Sequence, residues 1–257
     1  MSAVVHTAAL TARQLRAFLR VPAFFAMNLV QPLIWLLLFG QLFRSVAQIP
    51  GFTGGDYLTF LTPGVVMMMA MFGAAWTGAG YIQDMERGVM DRLLTSPTSR
   101  TAMIVSTLAY QSVLTVLQTA VLLVVAWTAG VRFDGGAVGV GVLVLAAVLL
   151  TVVFGALSDA VALVTRQHNA LIGISQLLAF PVMFLSSAIM DVSLAPSWVG
   201  AVARLNPFEW AVVAGREAVS ASTDWGSVLV HLGLLAAAGA LGVVAATAAF
   251  RVYRRSA

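Results

Sequence analysis

The sequence predicts an all-α integral membrane protein with six transmembrane helices. Three observations carry this. Of 257 residues, 60% are hydrophobic and only 9% are charged, against about 25% charged in soluble domains. The apolar residues gather into six runs, each close to the roughly 20 residues that span a bilayer as a helix. All 14 basic residues are arginine, placed unevenly on alternate sides of the runs.

The spans fall at Phe24–Phe43, Tyr57–Ile82, Ala102–Val131, Ala137–Val164, Ala170–Met190 and Gly226–Phe250. The third and fourth exceed the bilayer thickness and are expected to tilt. The first follows Arg13, Arg16 and Arg20, as a signal peptide would, but is too long and lacks a small-residue cleavage site, so a retained anchor is expected. Residues 1–22 form a separate N-terminal unit. Val5, Ala8, Ala12, Leu15 and Leu19 share one helical side, flanked by the arginines, which suits an amphipathic helix in the membrane interface. Residues 23–257 form the six-helix domain.

Arginine bias sets the orientation. With both ends inside, Arg13, Arg16, Arg20, Arg87, Arg92, Arg100, Arg166, Arg251, Arg254 and Arg255 face the cytoplasm, and Arg44, Arg132, Arg204 and Arg216 face outward. Ten against four places both termini in the cytoplasm of a multi-pass protein of the inner (plasma) membrane.

Composition also excludes functions. The 14 basic residues are scattered rather than clustered, which argues against nucleic acid. There is no cysteine, and His6, His168 and His231 lack metal-ligand spacing. A phosphate-binding G-x-x-x-x-G-K-[ST] loop needs a lysine, and the chain has none. No cofactor is expected on this chain, and no catalytic residue or metal ligand stands out.

Two connections carry more information. Between spans two and three, Met85, Val89 and Leu93 repeat along one helical face while Asp84, Arg87 and Asp91 recur on another. A short amphipathic helix over Asp84–Leu94 is expected, stopped by Ser96-Pro97. Periodicity alone leaves open whether this is a docking element or an ordinary solvated loop helix. Between spans five and six, Asn206 is a good N-cap, Pro207 suits the first helical position and Glu209 stands where a capping-box acid reaches back. With charge at Arg204, Glu209, Arg216 and Glu217, the short helical pieces suit an external cap or a re-entrant hairpin against the bundle.

The string Glu86-Arg-Gly-Val-Met-Asp-Arg-Leu-Leu-Thr-Ser-Pro-Thr-Ser-Arg100 resembles the first cytoplasmic loop of ABC-2 type transporter permeases, in particular the daunorubicin-resistance type. Pro196-Ser-Trp, then Leu205-Asn-Pro and Arg216, are similar to that family's external pattern before the last span. Gly88, where the family often has an acid, and Ser186-Ser187, where it often has Ser-Gly, depart from it. The resemblance implies the membrane subunit of an ATP-driven exporter that pairs with a separate nucleotide-binding subunit, where ATP and Mg would bind, and with a second copy of itself. Asp84, Glu86, Arg87, Asp91, Arg92, Leu93 and Leu94 would then form the coupling helix, and Asn206, Pro207, Glu209 and Arg216 the external re-entrant segment.

Within the spans, Asp159 is an ionisable group at membrane depth and so a candidate contact for substrate or a partner for Arg166. Met67 and Met71, in a methionine-rich run, could accommodate apolar cargo or simply pack. Asn28, Gln31, Gln111 and Gln118 suit interhelical hydrogen bonds, with Asn28 and Gln111 also candidates for the substrate pathway. The expected cargo is a hydrophobic or amphipathic small molecule. Export of a polysaccharide or lipid-linked glycan is the alternative. An ion-driven secondary transporter would need paired carboxylates near the midplane, and only Asp159 is there.

Overall fold

The computed structural model describes residues 3–19, 22–45, 56–90, 99–190, 192 and 195–255. Among these, regular structure is entirely helical. Helix α1 (Ala3–Leu19) precedes α2 (Pro22–Ile34), which continues through a π-helical turn, Trp35–Phe39, into Gly40–Leu42. Then follow α3 (Tyr57–Ala75), α4 (Ala79–Glu86), α5 (Arg100–Thr128), α6 (Gly136–Thr165), α7 (His168–Phe184), α8 (Ser197–Ala203), α9 (Pro207–Val219) and α10 (Trp225–Arg255).

Five helical stretches are long and apolar enough to cross a membrane: Phe25–Leu42, Tyr57–Glu86, Arg100–Thr128, Gly136–Thr165 and Trp225–Phe250. These match five of the six expected spans. The fifth expected span, Ala170–Met190, is only partly helical, because α7 stops at Phe184 after 17 residues. At about 1.5 Å per residue such a helix falls short of the hydrocarbon thickness. Bends occupy 186–190 instead.

Helix α3 is the hub. It is apolar on every side, so it cannot present a polar face to solvent and packs centrally. Every residue from Phe60 to Met71, among them Leu61, Val65, Val66 and Met67, is buried. Asp56 caps its start by accepting from the Thr59 amide at 3.4 Å. Gly40 and Gly64 let neighbours approach: a Cβ at Gly40 would stand 2.2 Å from Leu58 Cδ1, and one at Gly64 would stand 2.2 Å from the Ala188 carbonyl oxygen.

The second span breaks at Trp76-Thr77-Gly78, and α6 closes the break. Ser158 Oγ donates to the Ala75 carbonyl at 2.7 Å and accepts from the Gly78 amide at 3.0 Å. Ser175 Oγ of α7 also donates to Ala75 O, at 3.2 Å. Irregular backbone at membrane depth is tolerated only where protein supplies such partners. Glycine is required at 78, where a Cβ would lie 2.3 Å from Ser158 O.

The expected continuous helix over Asp84–Leu94 is interrupted. Arg87 and Gly88 form a turn, with Gly88 at φ +67, and a new helical segment begins at Val89. Positive φ is accessible to glycine and ends helices readily. Asp84 and Glu86 therefore belong to the end of α4, the continuation of the second span. Asp91, Arg92, Leu93 and Leu94 lie outside the described residues.

Helix α1 packs along α5 rather than standing alone. Thr11 Oγ1 donates to Ser106 O at 3.3 Å, and Phe18 meets Tyr110 and Phe25 edge-on. Gly239 and Gly242 face Val152 and Ala156 and bring α10 against α6.

Candidate cleft and the polar knot at the opposite end

Helices α1, α2, α3, α4, α5 and α7 enclose a cleft of about 670 Å³. That volume lies within the roughly 300–1,000 Å³ typical of small-molecule sites. One apolar wall is Met68, Met69 and Phe72 of α3 with Met183 of α7. Facing it are amides at helical spacing: Asn28 and Gln31 on α2, Gln111 and Gln118 on α5. Among the described lining residues the charged ones are Arg13 and Asp84, at the end where α1 meets α4, and they act on one another electrostatically.

The structure sorts the expected pathway residues. Asn28 and Gln111 line the cleft. Met67 and Met71 do not: both are fully buried on another side of α3, where the Met67 thioether methyl approaches Gly215. Successive residues of a helix point about 100° apart, so Met68 and Met69 take the lining positions instead. Asp159 also lies away from the lining. Its carboxylate is fully buried beside Tyr81, and neither oxygen has a hydrogen-bond partner among the described residues. Among the described residues this carboxylate takes part in no ion pair.

The amides also differ from expectation. Gln31, Gln111 and Gln118 make no interhelical hydrogen bond among the described residues, although Gln111 and Gln118 are 8% and 7% exposed. Gln14, Trp35, Trp76 and Tyr110 also line the cleft, beyond the residues that the sequence singles out. The signal was present for the amides, since Asn28 with Gln31 and Gln111 with Gln118 each share a helical face. For the aromatics no local signal distinguishes lining from lipid contact.

At the other end of the bundle, α9 is buried against α6, α10 and α3, with Phe208, Ala211, Ala214 and Ala218 fully enclosed. Here the sequence-predicted polar residues converge. Asn206 caps α9 through the Phe208 amide at 2.9 Å, and its own amide donates to Val182 O and Leu185 O at 2.7 and 3.0 Å. It thus joins the start of α9 to carbonyls left open at the end of α7. Pro207 occupies the first helical position. Glu209 does not close a capping box. It accepts from the Ser187 amide at 2.6 Å and Ser187 Oγ at 3.0 Å. Arg216 donates to Ser187 Oγ, Ser187 O and Phe60 O at 3.1, 2.7 and 3.3 Å, with its guanidinium 3.8 Å from the Phe60 ring centre. Tyr57 donates to Ile189 O at 3.1 Å. The bends after α7 are therefore pinned by side chains from α3 and α9. Ser187 was missed because its partners are 22 and 29 residues away.

Comparison with known proteins agrees with this architecture. The family described as ABC-2 type transporter matches residues 5–219. A putative transport permease ycf38 of Porphyra purpurea is 31% identical over 217 residues, 82% of this chain and 73% of that protein. The daunorubicin resistance ABC transporter permease protein DrrB1 of Streptomyces coeruleorubidus is 28% identical over 246 residues, 94% of this chain and 83% of the relative. A probable doxorubicin resistance ABC transporter permease protein DrrC of Mycobacterium tuberculosis is 22% identical over 188 residues, 73% and 67% of the two chains. A multi-pass helical membrane chain matched over most of its length in this way belongs to the ABC-2 type transporter family.

Proposed function

We propose that this chain is the membrane subunit of an ATP-driven exporter and carries a hydrophobic or amphipathic small molecule outward. The observation that carries this reading is the cleft, a volume of about 670 Å³ with polar and apolar walls at membrane depth in an ABC-2 chain. Relatives with drug-resistance permease names add support. The chain has no lysine for a phosphate-binding loop, so ATP and Mg belong to a separate nucleotide-binding subunit.

Two copies of the chain would pair with two such subunits. Both termini lie in the cytoplasm, and α7 with the pinned bends and buried α9 makes up the fifth crossing and its outer re-entrant segment. Asp84, Glu86 and Arg87, with Asp91, Arg92, Leu93 and Leu94 beyond the turn at Gly88, form the face that the ATPase engages. Closure of the two ATPases would push on this face. Because α4 continues directly from α3, the push reaches the helix that forms one cleft wall. The break at Trp76–Gly78 is where the two halves of that span can change angle.

Co-expression with a P-loop ATPase from a neighbouring reading frame, followed by reconstitution, tests the reading. ATP-dependent movement of an amphiphile that requires both proteins is expected. Movement by this chain alone, driven by a proton gradient, would overturn it. A charge-reversed face, Asp91→Arg with Arg92→Glu, is expected to keep membrane insertion and lose at least about tenfold in transport, since like-charge juxtaposition at an interface costs several kcal/mol. Unchanged transport removes the coupling role from this segment.

A further inference from the structure

Three glutamines of the cleft, Gln14, Gln111 and Gln118, are half-buried or buried. Gln111 and Gln118 are 8% and 7% exposed and make no hydrogen bond among the described residues. Gln14 Oε1 is fully enclosed and also lacks a partner. All three line the cleft. Room is made for one of them: a Cβ on Gly73 would stand 2.9 Å from Gln111 Nε2. An enclosed amide oxygen without a partner is costly, so Gln14 Oε1, in the same cleft as the amides of Gln111 and Gln118, marks a place where hydrogen bonds are supplied from outside the chain.

The chemistry of the occupant follows from what is there and what is absent. Each carboxamide offers both donors and an acceptor, which matches hydroxyl and carbonyl groups. The cleft's ionic groups, Arg13 and Asp84, are of opposite sign, close enough to influence one another, and confined to one end. A ligand bringing a full charge among the amides would find no counter-charge and would lose its hydration at a cost of several kcal/mol. Asp159, the remaining acid at membrane depth, is sealed away from the lining.

We infer that the cleft takes an uncharged amphiphile whose polar part carries several hydroxyl or carbonyl groups, held by Gln14, Gln111 and Gln118 while its apolar part lies on Met68, Met69 and Phe72. This rests on the exporter reading for its biological meaning, but its test does not need the ATPase.

The chain in lipid nanodiscs is titrated with three amphiphiles sharing a brominated dodecyl chain. One has a maltoside head, one a trimethylammonium head and one a sulfate head. Trp35 and Trp76 line the cleft, so bromine quenching of tryptophan fluorescence reports entry. The maltoside is expected to bind at least tenfold more tightly than either charged probe. Gln111→Leu and Gln118→Leu are each expected to weaken the maltoside about fivefold, one hydrogen bond's worth, and to leave the charged probes unchanged. Equal or tighter binding of a charged probe overturns the inference, as does unchanged maltoside affinity in leucine variants that fold. The wild-type series decides the matter even where a variant fails to fold. A failure here leaves ATP-coupled export standing, and loss of export with the selectivity intact overturns only the exporter reading.

Discussion

Arg216 carries more structural consequence than any other charged side chain described. Its guanidinium ties two carbonyls and a hydroxyl from two separate segments while covering an aromatic face. That geometry needs a planar fork, which lysine lacks. Arg216→Ala is expected to destabilise the purified chain by about 2–4 kcal/mol, in the range for breaking a buried charge network. Arg216→Lys should recover less than half of that, read as the apparent Tm in detergent. Asp159 makes the opposite case. Its carboxylate has neither ion pair nor hydrogen bond among the described residues, so Asp159→Asn should leave the Tm unchanged or raise it. A fall of several degrees would show that the carboxylate itself is needed. Residue-level legibility followed locality. Asn206 and Pro207 could be read as a helix start because caps act within three residues. Ser187, the shared partner of Glu209 and Arg216, could not, because nothing local connects it to either.

At the scale of elements, apolar run length located five spans to within a few residues of each end, because lipid imposes both length and hydrophobicity. It failed where internal hydrogen bonds replace regular helix. The second span read as continuous because Trp76-Thr77-Gly78 contains no charge and no proline. Its break depends on Ser158, 80 residues from Gly78. The fifth span was read too long for a related reason: the bends after Phe184 are apolar, and the groups that satisfy them come from α3 and α9. The coupling segment was read as one helix because its apolar periodicity runs through Gly88, whose positive φ interrupts it. Ser158→Ala removes both hydrogen bonds at the break, and a loss of about 1–3 kcal/mol is expected. The same thermal measurement checks it, and an unchanged Tm would mean that packing and the Ser175 hydrogen bond to Ala75 O hold the break without Ser158.

At the scale of the whole molecule, the account depends on which face of the bundle meets the cytoplasm. The amide-lined cleft has its ionic groups at the α1–α4 end, beside the segment assigned to ATPase docking, while the knot of Asn206, Glu209 and Arg216 closes the opposite end. Arginine bias gave this orientation from sequence, and the cleft between the two ends was legible only as scattered amides in apolar runs. The chain contains no cysteine, so a single introduced thiol reports one position without background. Glu86 and Asp134 are exposed and lie at opposite ends of the bundle's second-to-third and third-to-fourth span connections. Glu86→Cys and Asp134→Cys are treated with a membrane-impermeant maleimide on intact cells. Asp134→Cys should label at once and Glu86→Cys only after the membrane is permeabilised. Labelling of Glu86→Cys in intact cells would put the docking face outside, where no ATPase can reach it, and would contradict the account.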